Sequence, residues 1–418
     1  MEKEYAVNQV IKDFSQKPET FKDAFTDIIR KGARQLLESA FKFEVDTFIA
    51  DINFQHDSVM AIRNGFKPER PVMTGIGPIT IKQPRVRLRS GEIAPFTSKI
   101  LPPYLRKTKS IEELIPCLYL KGISSDQFQE ALASLTGVEA SGLSATTVTR
   151  LKSSWEEDMT SWRQQSLEGK RYVYIWADGI HFNIRLTEDE RMCILVVIGA
   201  TADGHKELLA IESGYRESEI SWKNLLMSLR DRKLTIDPEL AIADGALGFW
   251  KALPQVFPKT KGQRCWVHKT ANVLEKLPKS RQAEAKSHLH EIYNNETKED
   301  AEKAFDRFIE TWSPTYIKAA NCLAKDKEHL LNFYNFPKEH WCHIRTTNPI
   351  ESTFAYVRLR TYKTKGLGSA KATEVMVFKL VQSAEKTWNK LRGYERLAEV
   401  IDIRWKFVNG IRTEAQAA

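Results

Sequence analysis

The chain has 418 residues, of which 28% are charged, and carries a formal net charge of +9. Its length suggests two or three domains, each able to bury a core, and its basic balance favours anionic partners. Five scattered cysteines argue against a disulfide framework, and the apolar run CILVVIGA falls far short of the roughly 20 residues of a membrane span. With no apolar segment of signal-peptide length at the N-terminus, we expect a cytosolic protein.

The N-terminal segment is patterned as helix. Apolar residues recur at helical spacing, which predicts one or two amphipathic helices over residues 19–56. We interpret the apolar stripe as either core or a self-association face. Its members are Phe21, Phe25, Ile28, Ile29, Gly32 and Leu36.

A basic segment follows. Residues 63–109 contain eleven basic residues against two acids, Glu69 and Glu92, interrupted by glycine and proline. Within it, PVMTGIGPITIKQPRVRLR alternates Ile79 and Ile81 with polar neighbours, which predicts a β-hairpin. The pattern fits an arm that contacts a polyanion, although an ordinary solvated surface remains an alternative.

Three short helices are predicted next, over SIEELIPCLYLKG, ISSDQFQEALASLTG and LSATTVTRLKSSWEEDM. Ser124 with Gln127 forms a capping-box signal, and Ser144 is a second N-cap. Three helices of which the last begins with small hydroxyl residues and carries Arg150 are typical of a helix-turn-helix DNA reader. A helical bundle of another purpose stays open, but the adjacent basic segment favours DNA.

From Tyr172 the pattern changes to β-branched and aromatic runs: YVYIWADGIHFNIR, CILVVIGATADGHKELLAI and LAIADGALGFW. A helical pattern, SEISWKNLLMSLRDR, separates the last two. The order strand, strand, strand, helix, strand, helix predicts an α/β domain whose sheet begins with antiparallel strands. A long helical stretch over residues 280–335 and the amphipathic helix ATEVMVFKLVQSAEKTW follow.

The tripeptide Ala-Asp-Gly occurs three times, at Asp178, Asp203 and Asp244. We interpret Asp203 as a hairpin turn between two apolar strands. Asp178 is predicted to end the first long strand and Asp244 the strand after a helix, where α/β sheets place functional side chains. Two such aspartates and a third carboxylate from a helix would bind two Mg²⁺ ions, a site suited to in-line displacement at a phosphodiester.

Glu351 is the only acid in the otherwise basic stretch RTTNPIESTFAYVRLRTYKTK. Asn348 is a predicted N-cap and Pro349 the first helical residue, so Glu351 falls where a glutamate returns a hydrogen bond to the cap. A helix cap and a metal ligand are both open at this point. Glu351→Gln separates them, because glutamine keeps the cap but loses the metal.

Four segments together resemble the Mutator group of bacterial insertion-sequence transposases: WADG, AIADGALGFWKALPQVFP, QRCWVHKTANVLEKLP and RTTNPIESTFAYVRLRT. RNGFKPERPVMTGIGPITIKQPRVR and LYLKGISSDQF are similar to the family's basic arm and helix-turn-helix. The resemblance implies an α/β, ribonuclease-H-like catalytic core with an all-helical insertion, preceded by a helical and β-hairpin DNA-binding region. It also implies metal-dependent 3′-strand cleavage and strand transfer at terminal inverted repeats.

Carried over by position, the resemblance makes Asp178, Asp244 and Glu351 the D-D-E acids and the ligands of Mg²⁺, with Mn²⁺ as an alternative. Cys265 and His268 match the family's C-x-x-H signature. We expect His268 to lie near the carboxylates and to position DNA or a catalytic water, while a core role for both stays open.

A zinc site built from the signature residues together with Cys342 and His343 is disfavoured, because adjacent ligands are poorly spaced for it.

The same resemblance suggests the domain boundaries: N-terminal helices 1–58, basic hairpin arm 59–110, helix-turn-helix region 111–168, first part of the core 169–278, helical insertion 279–343, and second part of the core with C-terminal helices 344–418. The expected DNA contacts are Arg85, Arg87, Arg89, Arg150, Arg264, Arg345, Arg358, Arg360, Lys363 and Lys365.

Double-stranded DNA, as terminal repeats and target, is the expected partner, bound by a homodimer or larger assembly. A DNA-binding protein without catalysis and a structure-selective nuclease of the same fold are the competing functions.

Overall fold

The computed structural model of the chain describes residues 21–56, 59–89, 96–120, 145–183, 191–214, 216–245, 247–363 and 369–415. It separates into two units, Met1–Leu151 and Lys152–Ala418. None of the helices in these ranges combines the length and the apolar character needed to cross a bilayer.

The first unit contains one long helix, α1 (Phe21–Gln55), which confirms the helical prediction for the N-terminal segment. Four short strands follow: β1 (Ala61–Phe66), β2 (Arg70–Thr74), β3 (Gly77–Ile81) and β4 (Pro84–Leu88). β2 and β3 form the predicted hairpin, with Thr74 paired to Gly77 across a two-residue turn, and β1 pairs antiparallel with β4. Gly77 has φ of +101°, a conformation that favours glycine.

The core of this unit lies on a different side of α1 from the predicted apolar stripe. Phe41 packs with Val72, Ile79 and Ile81, and Val45 packs against β1 and β4. The stripe itself is largely exposed: Phe25 by 60%, Ile28 by 41%, Ile29 by 39% and Leu36 by 74%. The core interpretation of the stripe is therefore wrong for these residues, because the strands pack against the side of α1 that carries Leu37, Phe41 and Val45.

Two of the three predicted short helices are present, α2 (Lys109–Leu120) and α3 (Ala145–Arg163). The second predicted helix, with Ser124 and Gln127, lies outside the described residues, as does Ser144, the predicted N-cap of the third helix.

A five-stranded sheet organises the second unit: β5 (Tyr172–Asn183), β6 (Arg191–Thr201), β7 (Lys206–Gly214), β8 (Leu240–Ala243) and β9 (Lys261–Arg264). The strand order is β7-β6-β5-β8-β9. β5, β6 and β7 are antiparallel, whereas β8 and β9 run parallel to β5. The prediction of an α/β domain that begins with antiparallel strands is confirmed, as is the turn at Asp203, beside which Gly204 has φ of +85°.

One face of this sheet packs against α4 (Glu219–Asp231) and α5 (Leu247–Val256), whose Trp222, Leu225 and Phe249 are buried with the sheet residues. Because side chains alternate along a strand, Ile175 and Ala177 of β5 face this core. Trp176 and Asp178 therefore point to the opposite face.

The opposite face of β5 contacts the helical segments that follow β9. The Tyr174 hydroxyl is 2.8 Å from Nδ1 of His340, and Trp176 Nε1 donates to the carbonyl of His343 at 3.0 Å. The helices after β9 are α6 (Trp266–Leu274), α7 (Lys279–Asn294), α8 (Lys298–Ala324), α9 (Lys327–Leu330), α10 (Trp341–Ile344), α11 (Asn348–Lys363) and α12 (Ala370–Glu385). Of these, α7, α8 and α9 confirm the predicted helical stretch over residues 280–335, and α12 confirms the predicted amphipathic helix.

The C-terminal segment departs from the prediction of helices alone. After α13 (Leu397–Ile401), β10 (Trp405–Val408) and β11 (Ile411–Glu414) form an antiparallel hairpin. Its two turn residues, Asn409 and Gly410, have φ of 51° and 78°. Asn-Gly is the sequence preferred for such a turn, so this hairpin was present in the sequence as a local signal that the helical interpretation overlooked.

Candidate active site

Two aspartates lie where the parallel pairing of β5 and β8 stops. The register matches Ala177 to Ala243, and β8 ends there, so Asp178 and Asp244 are the next residues on each strand. The prediction that Asp178 ends its strand is wrong: β5 continues to Asn183, paired with β6. Asp244 does follow its strand directly, as predicted.

The Asp178 carboxyl is buried and lies close enough to Asp244 to be affected by its negative charge. Asp178 is 7% exposed. Burial, followed by the negative charge of Asp244, raises its pKa from 3.8 to about 7, against the opposing effects of His268 and of the Gly179 N–H, which donates to Oδ1 at 2.8 Å. Two neighbouring carboxylates repel each other, so a cation is a natural partner of this pair.

Asp244 is fixed through its backbone. Its carbonyl oxygen accepts from Trp250 Nε1 at 2.7 Å and from Arg264 Nη1 at 2.8 Å. The Arg264 guanidinium also stacks on the Trp250 ring at 4.4 Å and lies 3.5 Å from Asp326. Because Arg264 is only 7% exposed and committed to these partners, the structure gives it a supporting role and contradicts the prediction that it contacts DNA.

Glu351 lies in the first turn of α11, but its local contacts differ from the predicted cap. The carbonyl of Thr347 accepts from the N–H groups of Ile350 and Glu351, so Thr347, and not Asn348, immediately precedes the helix. The Thr347 hydroxyl donates to Oε1 of Glu351 at 2.9 Å. The Glu351 carboxylate is therefore oriented by a buried threonine and is not the acceptor of the Asn348 N–H.

Cys265, His268 and Glu351 form a tight group whose potential ligand atoms all lie within 4.8 Å of one another. The backbone N–H of Thr347 donates to Sγ of Cys265 at 3.3 Å, and His268 Nδ1 is 3.7 Å from Glu351 Oε1. Asp178 and Asp244 are outside this tight group, and the charge of Asp178 acts on His268 within it.

His268 provides that link. A hydrogen bond with Cys265 and the electrostatic influence of Cys265, Asp178 and Glu351 raise its pKa from 6.5 to about 9, against the effect of burial. The imidazole is therefore protonated near neutral pH, and its positive charge lies between acids from β5 and α11. This agrees with the expectation that His268 lies near the carboxylates.

The remaining ligands of the disfavoured zinc site lie elsewhere. Cys342 is exposed. Nε2 of His343 accepts from the Arg392 N–H at 3.0 Å, and burial lowers the His343 pKa to about 4. The structure thus does not combine this pair with Cys265 and His268.

The two ends of the polypeptide segment between Asp244 and Glu351 are hydrogen-bonded to each other. Trp266, the first residue of α6, donates its backbone N–H to the carbonyl of Arg345 at 2.9 Å. Cys265, one position before Trp266, and Thr347, two positions after Arg345, are 82 positions apart in sequence and are joined by the bond described above.

One acidic residue beside the site was missed by the sequence analysis. Oε1 of Glu217 lies 3.2 Å from Nε2 of His181, and these two residues form a second group of potential ligands with Cys193. Burial and the charge of Asp244 raise the pKa of Glu217, while its bond to His181 opposes the shift. Glu217 precedes α4 among several other acids, and no spacing in the sequence distinguishes it from them.

The predicted DNA contacts of the first unit are accessible. Arg85, Arg87 and Arg89 are exposed and alternate with less accessible residues on and after β4. Arg150 is exposed in α3.

The predicted DNA contacts of the second unit differ in how accessible their side chains are. Arg345 is half-buried, and its Nη1 donates to the Tyr293 carbonyl at 2.6 Å. Arg358 is exposed on α11, near the ring of Phe354. Arg360 and Lys363 belong to the same helix. Lys365 lies outside the described part of the chain.

Comparison with known proteins supports the resemblance. The family model of the Mutator-family transposases matches residues 5–391. The transposase for insertion sequence element IS6120 of Mycolicibacterium smegmatis is 48% identical over 290 residues, which cover 69% of this chain and 89% of that protein. The transposase for insertion sequence element IST2 of Acidithiobacillus ferrooxidans is 46% identical over 290 residues, or 68% and 95% of the two chains. The chain is therefore a member of the Mutator family of transposases.

Proposed function

We propose that this protein binds the terminal inverted repeats of an insertion sequence, cleaves the 3′ strand at each end and transfers the resulting hydroxyl to target DNA. The observation that carries the proposal is the meeting of Asp178 and Asp244 at the end of the parallel pairing, with His268 linking them by charge to Glu351. The sheet, with three antiparallel strands followed by two parallel ones, supports a ribonuclease-H-like core.

The acidic residues fit a hard divalent cation. Asp178 and Asp244 offer oxygen ligands, and at Asp178 burial and the charge of Asp244 outweigh the compensation by His268 and the Gly179 N–H, which raises its pKa. Carboxylate oxygens suit Mg²⁺ and Mn²⁺ better than softer metals. We propose that Asp178, Asp244 and Glu351 hold such ions, which when bound activate an attacking oxygen and stabilise a leaving oxygen at phosphorus.

The other residues of the site orient these acids and bind the substrate. The Thr347 hydroxyl fixes the Glu351 carboxylate, and the Arg264 and Trp250 side chains fix the backbone at Asp244. Protonated His268 supplies a positive charge at the site, where it can bind a DNA phosphate. Exposed arginines such as Arg85, Arg87 and Arg358 would hold the DNA backbone through phosphate contacts that carry no sequence information.

Strand cleavage and joining by the purified protein test this function. The substrate is DNA carrying both flanks of the gene, with Mg²⁺ or Mn²⁺, and Glu351→Gln is compared with the wild type. Removing one metal-binding carboxylate should lower cleavage and joining by roughly a hundredfold or more, while DNA binding and thermal stability persist. Glu310→Gln, on an exposed position of α8, is the matched control and should behave as wild type.

Each other outcome has a distinct meaning. Equal activity of Glu351→Gln and wild type would reduce Glu351 to a structural residue of α11. Cleavage without joined products would favour a structure-selective nuclease, and binding without cleavage a DNA-binding protein that lacks catalysis. A monomeric mass for the protein–DNA complex would contradict the proposed homodimer or larger assembly.

A further inference from the structure

Glu217 is placed next to the proposed metal site by an unusually close approach of backbone segments. Its Oε1 lies 2.6 Å from the position that a Cβ on Gly179 would occupy. On its other side, a Cβ on Gly248 would lie 2.2 Å from the Glu217 carbonyl oxygen. Glycines on both sides therefore make room for this residue, and one of them directly follows Asp178.

The position of Glu217 relative to the sheet explains how it reaches the aspartates. By strand alternation Gly179 faces the side of β5 opposite to Asp178, so the Glu217 carboxylate lies over that other side. The parallel pairing with β8 stops at Ala243, one position before this level. Glu217 thus lies beside the open end of β8, where its charge acts on both Asp244 and Asp178.

An ion pair with His181 does not account for this placement. The His181 side chain is 56% exposed, and ion pairs at such positions contribute little. Moving a third ionised carboxylate toward Asp178 and Asp244 is electrostatically unfavourable, and either a proton or a shared cation relieves the repulsion. The two glycines permit this approach, and a shared cation makes it favourable with all of the carboxylates ionised.

We propose that Glu217 is a positioning residue of the metal site, a fourth carboxylate that attracts and orients the hydrated divalent cation held at Asp178 and Asp244. His181 fixes the direction of the Glu217 carboxylate through its ring nitrogen. The inference rests on the proposed function, because it assigns Glu217 to the same metal site.

The first test is calorimetric titration of the full chain with Mn²⁺ in the absence of DNA. Glu217→Gln keeps the shape of the side chain and removes its charge, so Mn²⁺ affinity should fall roughly five- to thirtyfold, as expected for losing a unit charge several ångströms from a divalent ion. The Mg²⁺ concentration for half-maximal strand cleavage should rise in parallel, and by a larger factor than the rate at saturating Mg²⁺ falls. Replacing a residue with a purely structural role would not change the Mg²⁺ requirement more than the rate at saturating Mg²⁺.

Glu219→Gln is the matched control. Glu219 lies two positions along the chain, bonds to Gln255 on the surface and is 3.8 Å from Lys251. Its neutralisation removes the same charge from the same segment and should leave Mn²⁺ affinity unchanged. An equal loss of affinity in both variants would overturn the assignment to Glu217, since the effect would then be one of overall charge.

Gly179→Ala tests the close approach between Gly179 and the Glu217 carboxylate by changing the glycine. The added methyl group meets the flexible end of the Glu217 side chain, so it should displace the carboxylate at little cost to thermal stability. Gly179→Ala should weaken Mn²⁺ binding as Glu217→Gln does, and the double variant should bind as weakly as either single one. If the losses of Mn²⁺ affinity in the two single variants added up in the double variant, Gly179→Ala would not act through Glu217, which would contradict the proposal.

Asp178→Asn separates this inference from the proposed function. If Asp178→Asn loses Mn²⁺ binding while Glu217→Gln binds as wild type, the positioning role is overturned and the proposed function stands. If Asp178→Asn itself binds Mn²⁺ as wild type does, the proposed metal site fails, and the role of Glu217 fails with it. Unfolding midpoints of all variants, measured in parallel, establish that each one is folded.

Discussion

Asp178 shows how a single enclosed carboxyl links stability to pH. Its pKa in the folded protein is about 7 against an ordinary value of 3.8, so the folded state binds this proton more tightly than the unfolded chain does. The favourable contribution is therefore present below about pH 4 and is lost as the pH rises through 7. At about 1.36 kcal/mol per pKa unit, the loss is roughly 4 kcal/mol at most.

We predict that Asp178→Asn raises the unfolding temperature of the metal-free protein at about pH 8 and has a much smaller effect near pH 4. The physical reason is that asparagine never ionises in the enclosed site beside Asp244. Saturating Mg²⁺ should stabilise the wild type at the higher pH and should have no such effect on Asp178→Asn. Thermal unfolding at both pH values, with and without the metal, measures this; a wild type that is not stabilised by Mg²⁺ would contradict it.

Thr347 permits a second prediction at the scale of one side chain. Thr347→Val retains the shape of the buried residue but removes the hydroxyl that orients Glu351. A hydrogen bond to a charged group is worth about 1.5–3 kcal/mol, so strand cleavage should fall roughly ten- to a hundredfold. Thr346→Val, one residue earlier, is the control and should retain most activity. Equal rates for Thr347→Val and wild type would show that Glu351 needs no such orientation.

Strand-end positions selected Asp178 and Asp244, the resemblance to the Mutator family added Glu351 and His268, and the structure brings these residues to one region. Neither signal was enough to find Thr347 or Glu217, because the roles of those residues depend on contacts between distant segments. The error at Arg264 has the same origin: sequence shows its charge but not that Trp250 and Asp326 enclose it.

At the scale of elements, the sequence was most informative where a strong period or a turn signal repeats. The strands around Asp203 and the β2–β3 hairpin were predicted from alternation and glycine. The apolar stripe of α1 was wrongly assigned to the core. Helical spacing of apolar residues predicts an amphipathic helix, but it does not show which side of the helix the strands cover. The exposed stripe remains a predicted self-association face.

The hairpin β10–β11 supplies a prediction at this scale. Gly410 combines φ of +78° with close neighbours: an added Cβ would lie 2.8 Å from Cβ of Lys338 and 2.9 Å from both its backbone nitrogen and the Trp341 ring. Gly410→Ala should destabilise the protein by about 2–4 kcal/mol, from backbone strain together with overpacking. Chemical denaturation measures the change in unfolding free energy.

Gly169→Ala measures the contribution of backbone strain alone to the loss of stability. Gly169 has a similar φ of +75° but nothing within 4 Å of an added Cβ, so its replacement should cost only about 1 kcal/mol. A loss at Gly410 no larger than that at Gly169 would show that the hairpin moves away from Lys338 and Trp341 without cost.

For the whole molecule, the basic surface of the first unit predicts how DNA affinity responds to salt. Arg85, Arg87 and Arg89 form no ion pairs within the described residues, so they are available for phosphates. Replacing all three with glutamine should weaken DNA binding at low salt. It should also reduce the magnitude of the slope of log affinity against log salt by about 2.7, which is about 0.9 for each lost phosphate contact.

A control with the same change in net charge distinguishes contacts from general attraction. Lys298, Lys303 and Arg307 are close to acidic side chains on α7 and α8, and their replacement by glutamine removes three positive charges elsewhere. Binding measured over a series of salt concentrations should show a nearly unchanged slope for this variant. Equal slopes for the two triple variants would contradict a specific role for the arginines on and after β4.

The bonds that close the base of the segment from Trp266 to Arg345 have a consequence for how such a protein can change over time. Because the two ends of this excursion are hydrogen-bonded to each other beside Cys265 and Thr347, the start of α11 is held close to the start of α6. The excursion also contributes Asp326, His340 and His343, which contact Arg264, Tyr174 and Trp176. Changes in length between the second and third acids are therefore expected in the parts of α7 and α8 that lie away from these contacts.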